Sequence, residues 1–353
     1  MAAQAAVRVV CRPDPVLDEW AERIETAGIE VVRLSPTTPR GFVRLVQLVR
    51  QADVVHLTLA SREGAYQVMA ALACRAGRRA LVCVHQLARE ADDLGPMGRR
   101  FRAFALGAAY GHARRHVAVS AEGRRLLPGR AGLDAARVVQ INNGVDLDRF
   151  SPSAGGDRQA LRRRLFGADA GVVCCTVARL SRQKGLDVLI EAAARLRSAG
   201  PEPPPRFYVI GDGELRAELD RMVADRDLGS VVRLVGAIPP DEVPGWLAAS
   251  DVFVLPSYYE GMSFAVMEAM ASGLPVVVTR VSGTSQLVPD GDRGRVVPPG
   301  DADALAAAVR ELAADAGLRA RLGAQAAEHV RRFSWEACFA GTAALLRDVA
   351  ATA

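Results

Sequence analysis

The sequence predicts an α/β chain made of two doubly wound, Rossmann-like halves, each a parallel sheet covered by helices. Three observations predict it. With 353 residues the chain has the length of about two domains. Short apolar runs of strand length alternate with helix-length segments along nearly the whole sequence. That rhythm breaks at 142–156, where Asn-Asn-Gly and Ser-Pro-Ser-Ala-Gly-Gly have the composition of an inter-domain linker.

In order, the first half reads as strand 7–11, helix 16–27, strand 29–34, helix 42–50, strand 54–57, helix 63–75 and strand 80–84, which ends at His85. A basic helical stretch from 97 to about 114 follows, then strand 116–119, helix 121–127 and strand 138–141. After the linker, strands are expected near 172–178, 206–210, 231–235, 252–255, 276–278 and 295–297. Gly211-Asp212-Gly213 turns the chain from strand to helix and is weak as a bare G-x-G. Asp301 is a good N-cap, and three helical segments run from it to the end.

Half the residues are apolar, enough for sizeable cores, yet no apolar run reaches the roughly 18 residues of a membrane span. Arg8 interrupts the early Ala/Val stretch, so a signal peptide is not expected and the chain reads as cytoplasmic. The six cysteines lie mostly in apolar surroundings without C-x-x-C spacing, which implies buried thiols and neither a zinc site nor a disulfide framework. Residues 1–150 carry 22 Arg against 15 acids, while the remainder is slightly acidic. Arg99, Arg100, Arg102, Arg114 and Arg115 bracket Phe101, Phe104 and Leu106, a mix that could lie on an anionic membrane. Packing of Ala105, Leu106, Ala108 and Ala109 on a sheet is the stronger reading of that stretch.

The chemistry concentrates at 257–279. Glu260 lies just past the strand ending at Leu255, and Glu268 falls inside the helix that Gly273 and Pro275 stop. Ligands of parallel sheets bind beyond the carboxyl ends of strands. A helix opening near Met262 or Ser263 points free N–H groups there and favours an anion. Sugar hydroxyls at Glu260, phosphate at the helix start and ribose hydroxyls at Glu268 would suit one ligand. The plainer reading is a capped surface helix with two solvated glutamates. Lys184 is the one lysine among 45 basic residues. Either it survives because a diphosphate contact needs a compact charge on a flexible stem, or it survives by chance. Arg179 closes the apolar run before it, so the two cations could flank one anion.

Together, Glu260-x7-Glu268 with EAMASGLPVV, ARLSRQKGLDVLIEA (178–192), VIGDGELR (209–216) and NNGVDLDRF (142–150) resemble the retaining glycosyltransferases of family 4, the group 1 glycosyl transferases. The resemblance is clear from about Arg114 onward. It implies the GT-B fold, two Rossmann-like domains facing each other across a cleft. Residues 1–150 would form the acceptor-side domain, 151–335 the nucleotide-sugar domain, and 336–353 a helix crossing back onto the first. Arg179 and Lys184 would neutralise the diphosphate of the leaving group. Glu260 with the backbone of Gly261, Met262, Ser263 and Phe264 would position the donor sugar, and Glu268 would hold the ribose. The base would lie at 233–238, ending at Ile238, with Gly211 close to the ligand. His85 would face the reacting sugar and count with Glu260, Arg179 and Lys184 among the catalytic residues; a structural strand-end histidine is the equal alternative. His56 also ends a strand and is a weaker candidate, while His112, His116 and His329 look incidental.

The resemblance implies a UDP-sugar ahead of a GDP-sugar as co-substrate, and transfer of a hexose or N-acetylhexosamine to a small-molecule or glycan acceptor. It implies no cofactor, no metal and no nucleic acid, and leaves peripheral membrane contact and oligomeric state open. Rival readings are an epimerase or phosphorylase of the same fold, or a non-catalytic nucleotide-sugar-binding subunit. Three departures stand out. Arg12-Pro-Asp-Pro15 replaces the usual glycine-rich loop, Ser263 replaces a glycine, and Gln286 stands where a glutamate is frequent.

Overall fold

The structure, a computed structural model, describes residues 6–59, 65–86, 107, 110–131, 133–153, 156–168, 171–199 and 202–352. Most of the basic stretch expected at 97–114, with Arg99, Arg100 and Arg102, lies outside these. The chain divides into two compact units. The first comprises residues 1–118, 124–140 and 343–353, the second residues 119–123 and 141–342.

In the first unit, β1 (Arg8–Cys11), α1 (Pro15–Thr26), β2 (Glu30–Arg33), α2 (Pro39–Arg50), β3 (Val54–Leu59), α3 (Ala65–Gly77) and β4 (Ala80–His85) alternate as expected. They are followed by β5 (Arg115–Ala118), α4 (Ala121–Ala131) and β6 (Val138–Gln140). The strands form two parallel sheets, β1-β2 and β3-β4-β5-β6. Helix α2 starts where Thr38 accepts the Gly41 N–H at 3.1 Å and Pro39, needing no donor, takes the first turn. Strand β3 continues two residues beyond its expected end, because Thr58 and Leu59 still pair with β4. His56 therefore lies inside the strand, which corrects its reading as a strand-end residue.

The second unit opens with α5 (Arg158–Phe166) and holds one six-stranded parallel sheet. Its strands are β7 (Val173–Val177), β8 (Arg206–Ile210), β9 (Val232–Gly236), β10 (Val252–Leu255), β11 (Val276–Thr279) and β12 (Gly294–Val297). The connecting helices are α6 (Leu186–Ala199), α7 (Arg216–Asp225), α8 (Val243–Ala249), α9 (Phe264–Ala271) and α10 (Thr284–Leu287). The chain closes with α11 (Ala302–Ala314), α12 (Ala316–Val330) and α13 (Trp335–Ala351). VCCTV, VFVL and VVVT are apolar nearly throughout because helices cover both faces of these strands; Val252, Phe253, Val254, Val276 and Val277 have no exposed surface.

Strand order β12-β11-β10-β7-β8-β9 sets the switch point of the sheet. The chain winds outward from β7 through β8 to β9, returns to place β10 against the other side of β7, and winds outward again. The gap between the carboxyl ends of β7 and β10 is thus the switch point of the sheet, where connections leave in opposite directions and open a crevice. The segments after β7 and β10 contain Arg179, Lys184 and Glu260.

Among the described residues no helix is long and apolar enough to cross a membrane. Five thiols are buried, Cys338 is half-buried, and none of the six is in a disulfide.

Candidate functional site

After β7 a single 3₁₀ turn, Arg182–Lys184, delivers the lysine. Gly185 ends it at φ 61°, ψ 33°, and a Cβ there would lie 2.1 Å from the Pro256 carbonyl oxygen. Only glycine lets this turn lie against the segment after β10. Gln183 then joins the two: its carbonyl accepts the Tyr258 N–H at 2.8 Å, and its Nε2 donates to the Tyr259 carbonyl at 3.0 Å. The Thr279 hydroxyl, at the end of β11, donates to the Ser257 carbonyl.

The outcome is a fixed ion pair. Lys184 Nζ lies 2.7 Å from Glu260 Oε1, with the side chains 19% and 10% exposed. Ser257 Oγ donates to the same oxygen at 2.8 Å. A carboxylate this buried is sustained by a charge partner and a second donor. The void behind it, bounded by Ser257, Glu260, Ser263, Thr279 and Thr284 among others, measures about 10 Å³, space for at most one water. The corner is packed rather than loose.

Helix α9 begins at Phe264, one to two residues later than the sequence suggests, with Ser263 as its extended N-cap. The Ser263 side chain makes no capping bond, and the first backbone bond is Met267 N–H to the Ser263 carbonyl at 3.2 Å. The N–H groups of Phe264, Ala265 and Val266 therefore have no acceptor among the described residues, and the helix offers an anion its first turn. Gly261, Met262 and Ser263 are buried, whereas the Phe264 side chain is 47% exposed. Glu268, one turn further, is half-buried; burial pushes its carboxyl up to about 7, against a smaller opposing pull from Arg149.

Arg179 is 73% exposed and pairs with Glu214 at 3.1 Å. Two glycines near it let backbone segments approach closely. A Cβ on Gly211, at φ 129°, would sit 2.0 Å from the Ala178 carbonyl, and one on Gly213 2.5 Å from that of Leu180. Leu180 N–H donates to the Asp212 carbonyl at 3.0 Å, which fastens the Arg179 segment to the turn after β8. Ile238 is half-buried, two residues beyond β9.

His85 ends β4 in the first unit, 7% exposed, with Nε2 3.1 Å from His116 Nδ1. His116 is thus not incidental: its Nδ1 is the hydrogen-bond partner of His85 Nε2. Burial, then the neighbouring His116, lowers His85 to about 3; burial, Arg137 and His112 lower His116 to about 4. Both rings are neutral at physiological pH. Arg12 pairs with Asp14 of its own loop. Sequence reasoning missed Gln183, Ser257 and Thr279. The glycine directly after the lone lysine was the available sign that this turn is packed against another backbone.

The family model described as glycosyl transferases group 1 matches residues 157–329, and that of glycosyltransferase family 4 matches residues 1–149. A D-inositol 3-phosphate glycosyltransferase of Kribbella flavida is 36% identical over 231 residues, 63% of this chain and 53% of its own length. One from Catenulispora acidiphila is 37% identical over 219 residues, 60% and 51% of the two chains. The chain thus spans about half the length of the curated relatives it matches. Among solved structures, Anabaena HepE in complex with UDP superposes with a TM-score of 0.81 at 24% identity, over 97% of this chain and 92% of that one. Sucrose-phosphate synthase from Thermosynechococcus elongatus gives 0.75 at 23% identity, over 93% and 85%. At these identities the likeness is one of fold.

Proposed function

The chain belongs to the group 1, family 4 glycosyltransferases, and on that premise we propose that it moves a hexose or N-acetylhexosamine from a nucleotide-diphosphate sugar to a small hydroxylated acceptor, with retention at the anomeric carbon. The observation that carries this reading is the Lys184–Glu260 pair beside the open first turn of α9, at the switch point between β7 and β10. Lys184 has three N–H donors, so it can hold Glu260 and still donate to a phosphate oxygen. The α9 N–H groups take the remaining phosphate charge, and Arg179 exchanges Glu214 for it. Charge grows on the diphosphate as the glycosidic bond breaks, and preorganised donors stabilise that growth more than the ground state. Cations and a helix terminus suffice for this, so the reaction is expected to need no metal.

Glu260 acts by hydrogen bonding rather than as a nucleophile. One of its oxygens is saturated by Lys184 and Ser257, leaving the other for a sugar hydroxyl. In that case the acceptor attacks from the face the diphosphate leaves, and a phosphate oxygen takes its proton. Glu268, titrating near neutrality, pairs with the ribose hydroxyls. UDP in the HepE complex and the inositol phosphate in the relatives' names suggest the first donor and acceptor to screen. Incubation with UDP- and GDP-hexoses and phosphorylated or free polyols, read by mass spectrometry, tests transfer; the anomeric coupling of the product by NMR tests retention. No transfer and no donor hydrolysis across the panel would count against the enzyme and favour a binding subunit.

A further inference from the structure

We propose that Asn143 is a positioning residue that aims a backbone N–H at the donor's phosphates; this rests on the donor-site reading above. Asn143 is 6% exposed, and its Nδ2 donates to the Met262 carbonyl at 3.1 Å across 119 residues of sequence. The Met262 carbonyl and the Ser263 N–H belong to one planar trans peptide and point in opposite directions. Holding the carbonyl turns the Ser263 N–H away from Asn143. That N–H has no acceptor among the described residues, and it adjoins the three open N–H groups of the first turn of α9.

A second contact keeps this peptide from shifting. A Cβ on Gly283 would lie 1.7 Å from the Gly261 carbonyl oxygen, so the loop is seated on bare backbone from the β11 side. With Gly261 seated and Met262 held, the 262–263 peptide has a single orientation. Asn142 beside it accepts from Gln286 Nε2 at 3.1 Å, and Gln286 Oε1 accepts the Ala121 N–H at 3.1 Å. The segment that carries Asn143 is therefore itself fastened. The buried amide of Asn-Asn-Gly has a task at the donor loop that its place in a linker does not suggest.

The test compares the whole chain with its Asn143→Ala and Asn143→Asp variants, the second keeping the shape but losing the N–H donor. UDP and GDP are titrated by calorimetry, and uridine and guanosine by NMR. A hydrogen bond to a charged group is worth about 1.5–3 kcal/mol, so diphosphate affinity should fall about ten- to a hundredfold in both variants. Nucleoside affinity should stay within about twofold, because the base and ribose contacts lie elsewhere. Equal loss of diphosphate and nucleoside affinity, or no loss of either, overturns the inference and leaves the donor site standing. A wild-type chain that binds neither UDP nor GDP overturns the donor site and this inference with it.

Discussion

Replacing Glu268 by Gln should stabilise the second unit while weakening the donor, and the gain should depend on pH. The carboxyl sits at 4.5 when free and at about 7 in the folded chain, because burial disfavours its charge. A raised carboxyl pKa means that the folded state keeps a proton the unfolded state releases between those values. Stability is therefore lost as pH rises through that window and is level above it. The shift implies that the ionisable group costs about 1 kcal/mol at pH 5 and about 3 kcal/mol at pH 8. Glutamine is nearly isosteric and carries no charge. At about 2–4 °C per kcal/mol for a unit of this size, the variant should melt about 2–4 °C higher at pH 5 and about 6–12 °C higher at pH 8. Calorimetric scans at the two pH values read this directly. At pH 8, where the carboxyl is ionised, UDP affinity should fall at least about tenfold, since the proposed acceptor of the ribose hydroxyls loses its charge. A gain equal at both pH values, or a loss at pH 8, would refute the assignment of a desolvated carboxyl.

Lys184→Ala and Arg179→Ala should each cut turnover by about two to three orders of magnitude, the usual cost of one preorganised contact to developing charge. Melting separates them: Lys184→Ala strands the buried Glu260 carboxylate and lowers Tm, whereas Arg179 is mostly exposed and its loss leaves Tm unchanged. Chelator should leave transfer intact; loss restored by magnesium or manganese would show that the phosphate site was misread. The buried His85–His116 pair, held well below 6.5, stabilises fully above 6.5 and loses that stability as pH falls towards 4. The double variant His85→Gln, His116→Gln should flatten this loss in acid-titration melts, and an unchanged profile would argue against the buried neutral pair.

Much of the second unit was legible because its physics is local. VCCTV, VFVL and VVVT announce strands covered on both faces, and Gly273 with Pro275 announces the end of α9. Glu260 and Glu268 could be singled out for the same reason, since each follows or sits within such an element, and Lys184 because it is the one lysine among 45 basic residues. Their geometry could not be read, because it depends on backbone-to-backbone approach. Gly185 against Pro256, Gly283 against Gly261 and Gln183 across to Tyr258 and Tyr259 join segments about 20 to 76 residues apart. His116 escaped notice as a partner of His85 because the pairing arises between neighbouring strands, Cys83 lying opposite His116 in a register that apolar periodicity leaves open. Strand β3 runs past Leu57 because the ladder to β4 continues through Thr58 and Leu59, a pairing that local sequence does not show.

In the proposed function, the crevice between β7 and β10 holds a nucleotide-diphosphate sugar through Lys184. Calorimetric titration of UDP-glucose and GDP-mannose into the wild-type chain and Lys184→Ala, in the presence of chelator, tests it most directly. Saturable one-site binding of one donor to the wild type, lost in the variant, is the predicted result. Equal binding by both proteins, or binding only after a divalent metal is added, would contradict it.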